Sequence, residues 1–80
     1  MIFMCSSIIE EILIYLSDDA EDIEQIKNLL HLNKVKIPSD YELMGILSEM
    51  LKSGKIKIIY PDNIYNLNMD NIYDCWFALI

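Results

Sequence analysis

The chain has 80 residues, of which 54% are hydrophobic, and its formal net charge is −7, from thirteen acids against six lysines. The hydrophobic content excludes a disordered chain, and the length suits one domain, residues 1–80. No apolar run reaches the roughly 20 residues that cross a bilayer, and the first residues lack the basic start of a secretion signal, so we expect a cytoplasmic protein with no membrane segment.

Two amphipathic helices are predicted in the first half of the chain. Residues 7–10 read Ser-Ile-Ile-Glu, a capping box that predicts a first helix beginning at Ser7. The apolar residues that follow recur at helical spacing and form one stripe that we expect to pack in the core: Ile8, Ile9, Ile12, Leu13 and Leu16. Either Asp18 or Asp19 is the expected cap of a second helix, whose first turn holds Ala20, Glu21 and Asp22. Acids in this turn face the positive end of the helix dipole.

A brief strand and a third helix follow. Val35 and Ile37 flank a lysine, and this alternation predicts a short strand. The sequence from Ser39 to Glu42 repeats the capping box and predicts the start of a third helix. Gly54 lies where a helix is expected to end, because glycine readily adopts the left-handed backbone that closes helices.

The periodicity changes to that of strands in the last third. Residues 55–60 alternate lysine with apolar side chains and predict a strand that ends at the turn residues 61–63. A second β segment is predicted within residues 72–80. The Asn-rich residues 64–71 extend a strand or form the tip of a hairpin, so the register stays open.

Two short sequences suggest a family. Residues 47–56, Leu-Ser-Glu-Met-Leu-Lys-Ser-Gly-Lys-Ile, are similar to a recognition helix that passes through glycine into a β wing, and residues 76–79, Trp-Phe-Ala-Leu, are similar to the returning wing strand. With the order helix, helix, helix, hairpin, residues 7–80 resemble the winged-helix family. The resemblance implies an α+β fold, with a three-helix helix-turn-helix core and a C-terminal two- or three-stranded β wing.

The charge opposes the DNA binding that this resemblance implies. The chain has no arginine, the residue that most often reads guanine. The face of the third helix that would enter a groove carries three acids and one lysine: Ser39, Asp40, Tyr41, Glu42, Gly45, Ser48, Glu49 and Lys52. Phosphates repel carboxylates, so the sequence indicates an acidic type of winged helix that does not bind DNA.

The densest charge is the acidic segment, residues 18–24, with five carboxylates in seven residues. It is interpreted as a solvated helix start or as a contact surface for a basic partner. A calcium site is disfavoured because the spacing lacks the required glycine and distal glutamate. We expect no metal and no cofactor.

Other candidate residues have structural and functional interpretations. The aromatic residues of the last third either pack in the core or serve as interface anchors. His31 fits a helix C-terminus and has no nucleophile motif beside it, so no enzymatic activity is expected. Cys5 and Cys75 are expected to be reduced thiols. The predicted partner-binding residues are Asp18, Asp19, Glu21, Asp22, Glu24, Asp40, Tyr41, Glu42, Glu49, Tyr65, Asp70, Tyr73, Asp74 and Trp76.

Three hypotheses of function follow. The first is a non-enzymatic protein–protein interaction domain, a small intracellular inhibitor or immunity-type protein that neutralises a basic nucleic-acid-binding or nuclease partner. The alternative is a dimeric winged-helix DNA-binding transcriptional regulator that uses Lys34, Lys36, Lys52, Lys55 and Lys57. The third is an assembly subunit, a homo-oligomer that forms through an open edge of the C-terminal strand.

Overall fold

Three helices and three short strands make up the part of the chain that the structure describes. The computed structural model describes residues 3–62, 64 and 66–80, with side chains from residue 8 onward. The elements are α1 (Phe3–Asp18), β1 (Glu21–Asp22), α2 (Ile23–Leu32), α3 (Asp40–Lys52), β2 (Ile56–Tyr60) and β3 (Trp76–Leu79). The strands form an antiparallel sheet in the order β1-β3-β2. The fold is therefore α+β, as predicted, and is compatible with a winged-helix-like arrangement.

Helix α1 begins at Phe3, so the predicted start at Ser7 is wrong. A Ser-x-x-Glu sequence caps a helix only where the preceding backbone leaves the helical conformation. Residues 3–6 contain neither glycine nor proline, and the helix continues through them. In the described ranges, no helix is long and apolar enough to cross a membrane.

Helix α2 begins later than predicted because its cap is Asp22 rather than Asp18 or Asp19. The Asp22 carboxylate accepts a hydrogen bond from the Gln25 backbone N–H at 3.0 Å. The backbone of Asp22 is extended, and together with Glu21 it pairs with β3. One residue thus ends a strand and caps a helix, which moves Glu21 and Asp22 out of the predicted first helical turn.

Val35 and Ile37 lie in a connection without regular structure, so the strand predicted there is wrong. The Val35 N–H donates to the Leu30 carbonyl at 2.9 Å, and the Lys34 N–H donates to the His31 carbonyl. Lys34 adopts a left-handed backbone, with φ of 60°. These bonds close α2 in a Schellman motif. The Val35 amide is therefore bonded within the helix end and does not take part in a strand.

Both predicted ends of α3 are confirmed. Ser39 and Glu42 form the reciprocal capping box, each side chain accepting the other residue's backbone N–H. At the other end, Gly54 has φ of +75°, and the Lys55 N–H donates to the Met50 carbonyl at 3.0 Å. A left-handed φ at this position favours glycine. Local signals therefore fix α3 at both ends.

The C-terminal strand is the centre of the sheet. Strand β3 pairs with β2 along its length, in the register Ile58↔Phe77 and Lys57↔Ala78, and Trp76 and Phe77 also pair with β1. The sheet edges are β1 and β2. The prediction that the C-terminal strand forms the open edge of the sheet is therefore wrong.

The core lies between the three helices and the sheet. The fully buried Phe77 projects into it from β3, and Cys75 precedes that strand as a buried free thiol whose pKa is raised by burial. The side chain of Cys5 lies outside the described part. The buried set is Ile8, Ile12, Tyr15, Leu16, Ile23, Ile26, Leu30, Leu43, Leu47, Met50, Ile56, Ile72, Cys75 and Phe77.

Candidate functional site

Helix α3 divides into a buried face and an exposed acidic face. Leu43, Leu47 and Met50 are buried against the core. The exposed residues of the helix are Tyr41, Glu42, Gly45, Glu49 and Lys52. Because three- and four-residue spacing places residues on one side of a helix, Glu42, Gly45 and Glu49 form a stripe along the surface. The exposed side of α3 therefore carries two carboxylates and one lysine.

A groove of about 560 Å³ lies beside this stripe, between α1 and α3. The isoleucines that line it come from both helices, with Ile8 buried and Ile46 half-buried. The connection before α3 supplies one side of the groove. The lining residues are Ile8, Ile9, Lys36, Pro38, Glu42, Gly45, Ile46 and Glu49.

The groove is the site that the sequence did not predict. Ile8 and Ile9 belong to the apolar stripe of α1, whose predicted role was core packing. Only the helical glycine hinted at a groove, because Gly45 leaves a gap in the side-chain cover of α3. Apart from the adjoining residues and the backbone of α3 itself, no atom of the described residues lies within 4 Å of the position that a Cβ would occupy at Gly45.

Two of the predicted partner-binding residues, Asp40 and Tyr73, lie in a surface polar cluster with Lys27, the Lys27–Asp40–Tyr73 cluster. The Lys27 Nζ lies 2.9 Å from Asp40 Oδ1 and donates to the Tyr73 hydroxyl at 3.0 Å. The Tyr73 hydroxyl in turn donates to Asp40 Oδ2. Lys27 also lies over the Tyr73 ring, 5.4 Å from its centroid. The cluster ties α2 and α3 to the segment before β3, and its polar groups satisfy one another.

The charges of this cluster stabilise each other. Hydrogen bonds from Tyr73 and Lys27 hold the pKa of the Asp40 carboxyl below its ordinary value. Hydrogen bonds to Tyr73 and Asp40 raise the pKa of Lys27. An ammonium and a carboxylate that neutralise each other add little to the net field of α3. The acidic character of this face therefore depends on Glu42 and Glu49.

Asp40→Asn is expected to lower the Tm by a few degrees near neutral pH and to match the wild type in strong acid. The pKa of Asp40 in the folded protein lies below the ordinary value of 3.8. Its ionised form therefore stabilises the fold above that pH, and this contribution is lost as the pH falls through the folded-state pKa. Thermal melts of both proteins across this range test the prediction. Asp70→Asn, outside the cluster, is the control, and a pH-independent gap for Asp40→Asn would contradict the prediction.

The acidic segment runs from the end of α1 through β1 to the start of α2. Asp18, Asp19 and Glu24 are exposed, and Glu21 and Asp22 are half-buried. Burial, followed by the charges of Asp19, Asp22 and Asp18, raises the pKa of Glu21. Among the described residues, the one ion pair is Lys27–Asp40, so the segment keeps its negative charge. It also contributes to no group of three or more metal-ligating side chains in the described ranges.

The remaining predicted residues are spread over the surface. Tyr41 is 70% exposed and Trp76 is 37% exposed, whereas Asp70 and Asp74 lie on the exposed turns before β3. Tyr65 lies outside the described residues. The structure brings parts of the predicted set together: Asp40 of α3 contacts Tyr73 in the turns before β3, and Asp22 of the acidic segment pairs with Trp76 of β3.

The comparisons with known proteins leave the site to be interpreted from its geometry. No protein-family model, curated protein or solved structure matches the chain.

Proposed function

We propose that this chain is a non-enzymatic protein–protein recognition domain that binds a basic partner, as a small intracellular inhibitor or immunity-type protein does. The exposed face of α3 carries this proposal. Glu42 and Glu49 lie there, seven residues apart and about 10.5 Å along the helix axis. Two carboxylates at that separation form a small acidic patch, which is complementary to a surface of lysine and arginine side chains.

The arrangement of elements supports a winged-helix-like scaffold for this face. Strand β1 between the first two helices, and the sheet order β1-β3-β2, complete a three-helix core with a three-stranded wing. The resemblance implies that the exposed side of the third helix is the contact surface. Carboxylates on such a surface repel phosphates but attract the basic side chains that bind phosphates. A partner that itself binds nucleic acid therefore has the charge that fits.

One observation favours the alternative, a DNA-binding regulator. Lys52, Lys55 and Lys57 are all exposed where α3 passes into β2. They would give a local positive patch next to the wing. However, Glu42 and Glu49 occupy the preceding turns of the same helix face, so the patch does not extend along α3.

Affinity capture from the source cells, followed by titration, tests the proposal against this alternative. We expect a basic protein to co-purify and its affinity to fall as salt rises from about 50 to about 200 mM. The Glu42→Gln, Glu49→Gln double variant should weaken that binding by about tenfold. The Asp18→Asn, Asp19→Asn double variant removes the same charge from the acidic segment and is the matched control.

Two results would contradict the proposal. One is salt-sensitive binding of a DNA duplex with no binding of basic protein, which would support the regulator. The other is capture of a basic protein whose affinity is the same for the wild type and both double variants. If only the Asp18→Asn, Asp19→Asn variant loses affinity, the partner binds the acidic segment, residues 18–24, and not the exposed face of α3.

A further inference from the structure

We propose that the groove between α1 and α3 receives an apolar side chain of the basic partner, flanked by lysine or arginine residues that reach Glu42 and Glu49. This inference rests on the proposed function and makes it specific. The partner segment it implies is amphipathic: an apolar anchor enters the groove and positive charges lie at its rim.

The shape and lining of the groove suit an apolar ligand. Isoleucines from two helices line it, and Pro38 adds a rigid apolar surface on a third side. The volume of about 560 Å³ falls within the range of ligand pockets. Among the described residues, no buried side-chain nitrogen or oxygen lacks a hydrogen-bond partner. The groove thus offers no buried polar group to orient a polar ligand and suits an apolar one.

The glycine in α3, Gly45, leaves the groove open. Gly45 lies in the middle of a regular helix, where glycine is less favourable than alanine by roughly 0.5–1 kcal/mol. Its backbone does not have the positive φ that would require glycine, and within the described part of the chain no atom of another element crowds its Cβ position. Neither backbone strain nor crowding by the described residues therefore requires glycine here. Its effect is to keep the groove open between the two glutamates.

The charges that line the groove favour a partner with positive side chains. Glu42 and Glu49 lie on either side of Gly45 along the helix, and Lys36 is the one basic side chain among the described residues that line the groove. Two carboxylates against one lysine leave the lining with a net charge of −1. The Glu49 side chain has no ion-pair partner among the described residues. One oxygen of the Glu42 carboxylate accepts a hydrogen bond from the Ser39 backbone N–H. A segment with flanking positive charges therefore complements the rim, and an acidic one is repelled.

Gly45→Leu is the variant that tests the groove, because it fills the space while favouring the helix. The matched control is Asn28→Leu, which adds a leucine at an exposed position of α2, away from the groove. Thermal melts should place the Tm of Gly45→Leu at or above that of the wild type. Any loss of binding then reports the groove and not the fold. Gly45→Ala fills less space and should give an intermediate loss.

The probes are two synthetic helical peptides of about 18 residues with equal numbers of lysines. One has leucine along a single face, and the other has serine in place of each leucine. We expect the leucine peptide to bind the wild type at least about tenfold more tightly than the serine peptide. We expect Gly45→Leu to lose at least about tenfold in affinity for the leucine peptide, and Asn28→Leu to bind it as the wild type does. Amide NMR shifts on binding should centre on Ile9, Gly45 and Ile46.

The outcomes separate this inference from the proposed function. Equal, salt-sensitive binding of both peptides, unchanged in Gly45→Leu, would overturn the groove and leave recognition by charge in place. No binding of either peptide, together with no basic protein in the affinity capture, would overturn both. A wild type that dimerises in sedimentation while Gly45→Leu stays monomeric would assign the groove to a second copy of the chain and also overturn the inference.

Discussion

Phe77→Ala should lower the free energy of unfolding by about 3–5 kcal/mol, because alanine leaves a cavity where the phenylalanine ring now fills the core. Phe77 is fully buried and lies on the central strand of the sheet. It is paired on one side with Glu21 of β1 and on the other with Ile58 of β2. The removed ring therefore leaves a gap at the centre of the fold.

The loss of unfolding free energy in Phe77→Ala should be large enough to measure directly. A chain of 80 residues has a total stability on the order of 4–12 kcal/mol, so the variant should be partly unfolded in water at the low end of that range. Urea titrations followed by circular dichroism measure the change. Ile80→Ala, at a side chain that is 74% exposed, is the control and should change the stability by less than about 0.5 kcal/mol. A loss below 1 kcal/mol for Phe77→Ala would contradict the assignment of Phe77 to the core.

The parts of the fold that the sequence predicted are those with two agreeing local signals. Helix α3 has a capping box at Ser39 and a left-handed glycine at Gly54, and both lie in the expected geometry. Strand β2 begins at Ile56, two residues after that glycine, and its apolar and lysine side chains alternate up to Ile58. Each signal involves residues only a few positions apart, so the sequence alone contains the physical cause.

The parts that the sequence missed depend on distant residues. Strand β1 consists of Glu21 and Asp22 alone, and it exists because those residues pair with Phe77 and Trp76 near the other end of the chain. No local pattern marks two acidic residues as a strand. The same pairing gives Asp22 the extended backbone that lets it cap α2, so one missed contact caused both errors.

The candidate site follows the same division. The acidic character of α3 follows from residue identity and helical spacing, so Glu42 and Glu49 were predicted correctly as exposed residues. The hydrogen bonds of Asp40 could not be predicted, because they depend on the folded chain bringing Lys27 and Tyr73 within hydrogen-bond distance of its carboxylate. The groove required the relative placement of α1 and α3, which depends on packing of the whole core and not on either helix.

Ile46 and Leu47 are neighbours on α3, and alanine substitutions at these positions should separate folding from binding. Leu47 is fully buried, so Leu47→Ala should cost about 2–5 kcal/mol of stability. Ile46 is half-buried and lines the groove, so Ile46→Ala should cost less, about 1 kcal/mol. Urea titrations of the two variants give these values.

The order of the two variants should reverse when binding of the leucine peptide is measured. Ile46→Ala removes part of the apolar wall and should weaken binding several-fold, by an amount set by the lost contact area. Leu47→Ala should keep the affinity of the wild type once it is corrected for the folded fraction, because Leu47 faces the core. If both variants lose affinity only in proportion to their unfolded fraction, the groove does not hold the peptide. If Ile46→Ala alone loses affinity beyond that proportion, the outer face of α3 binds a partner while its inner face maintains the fold.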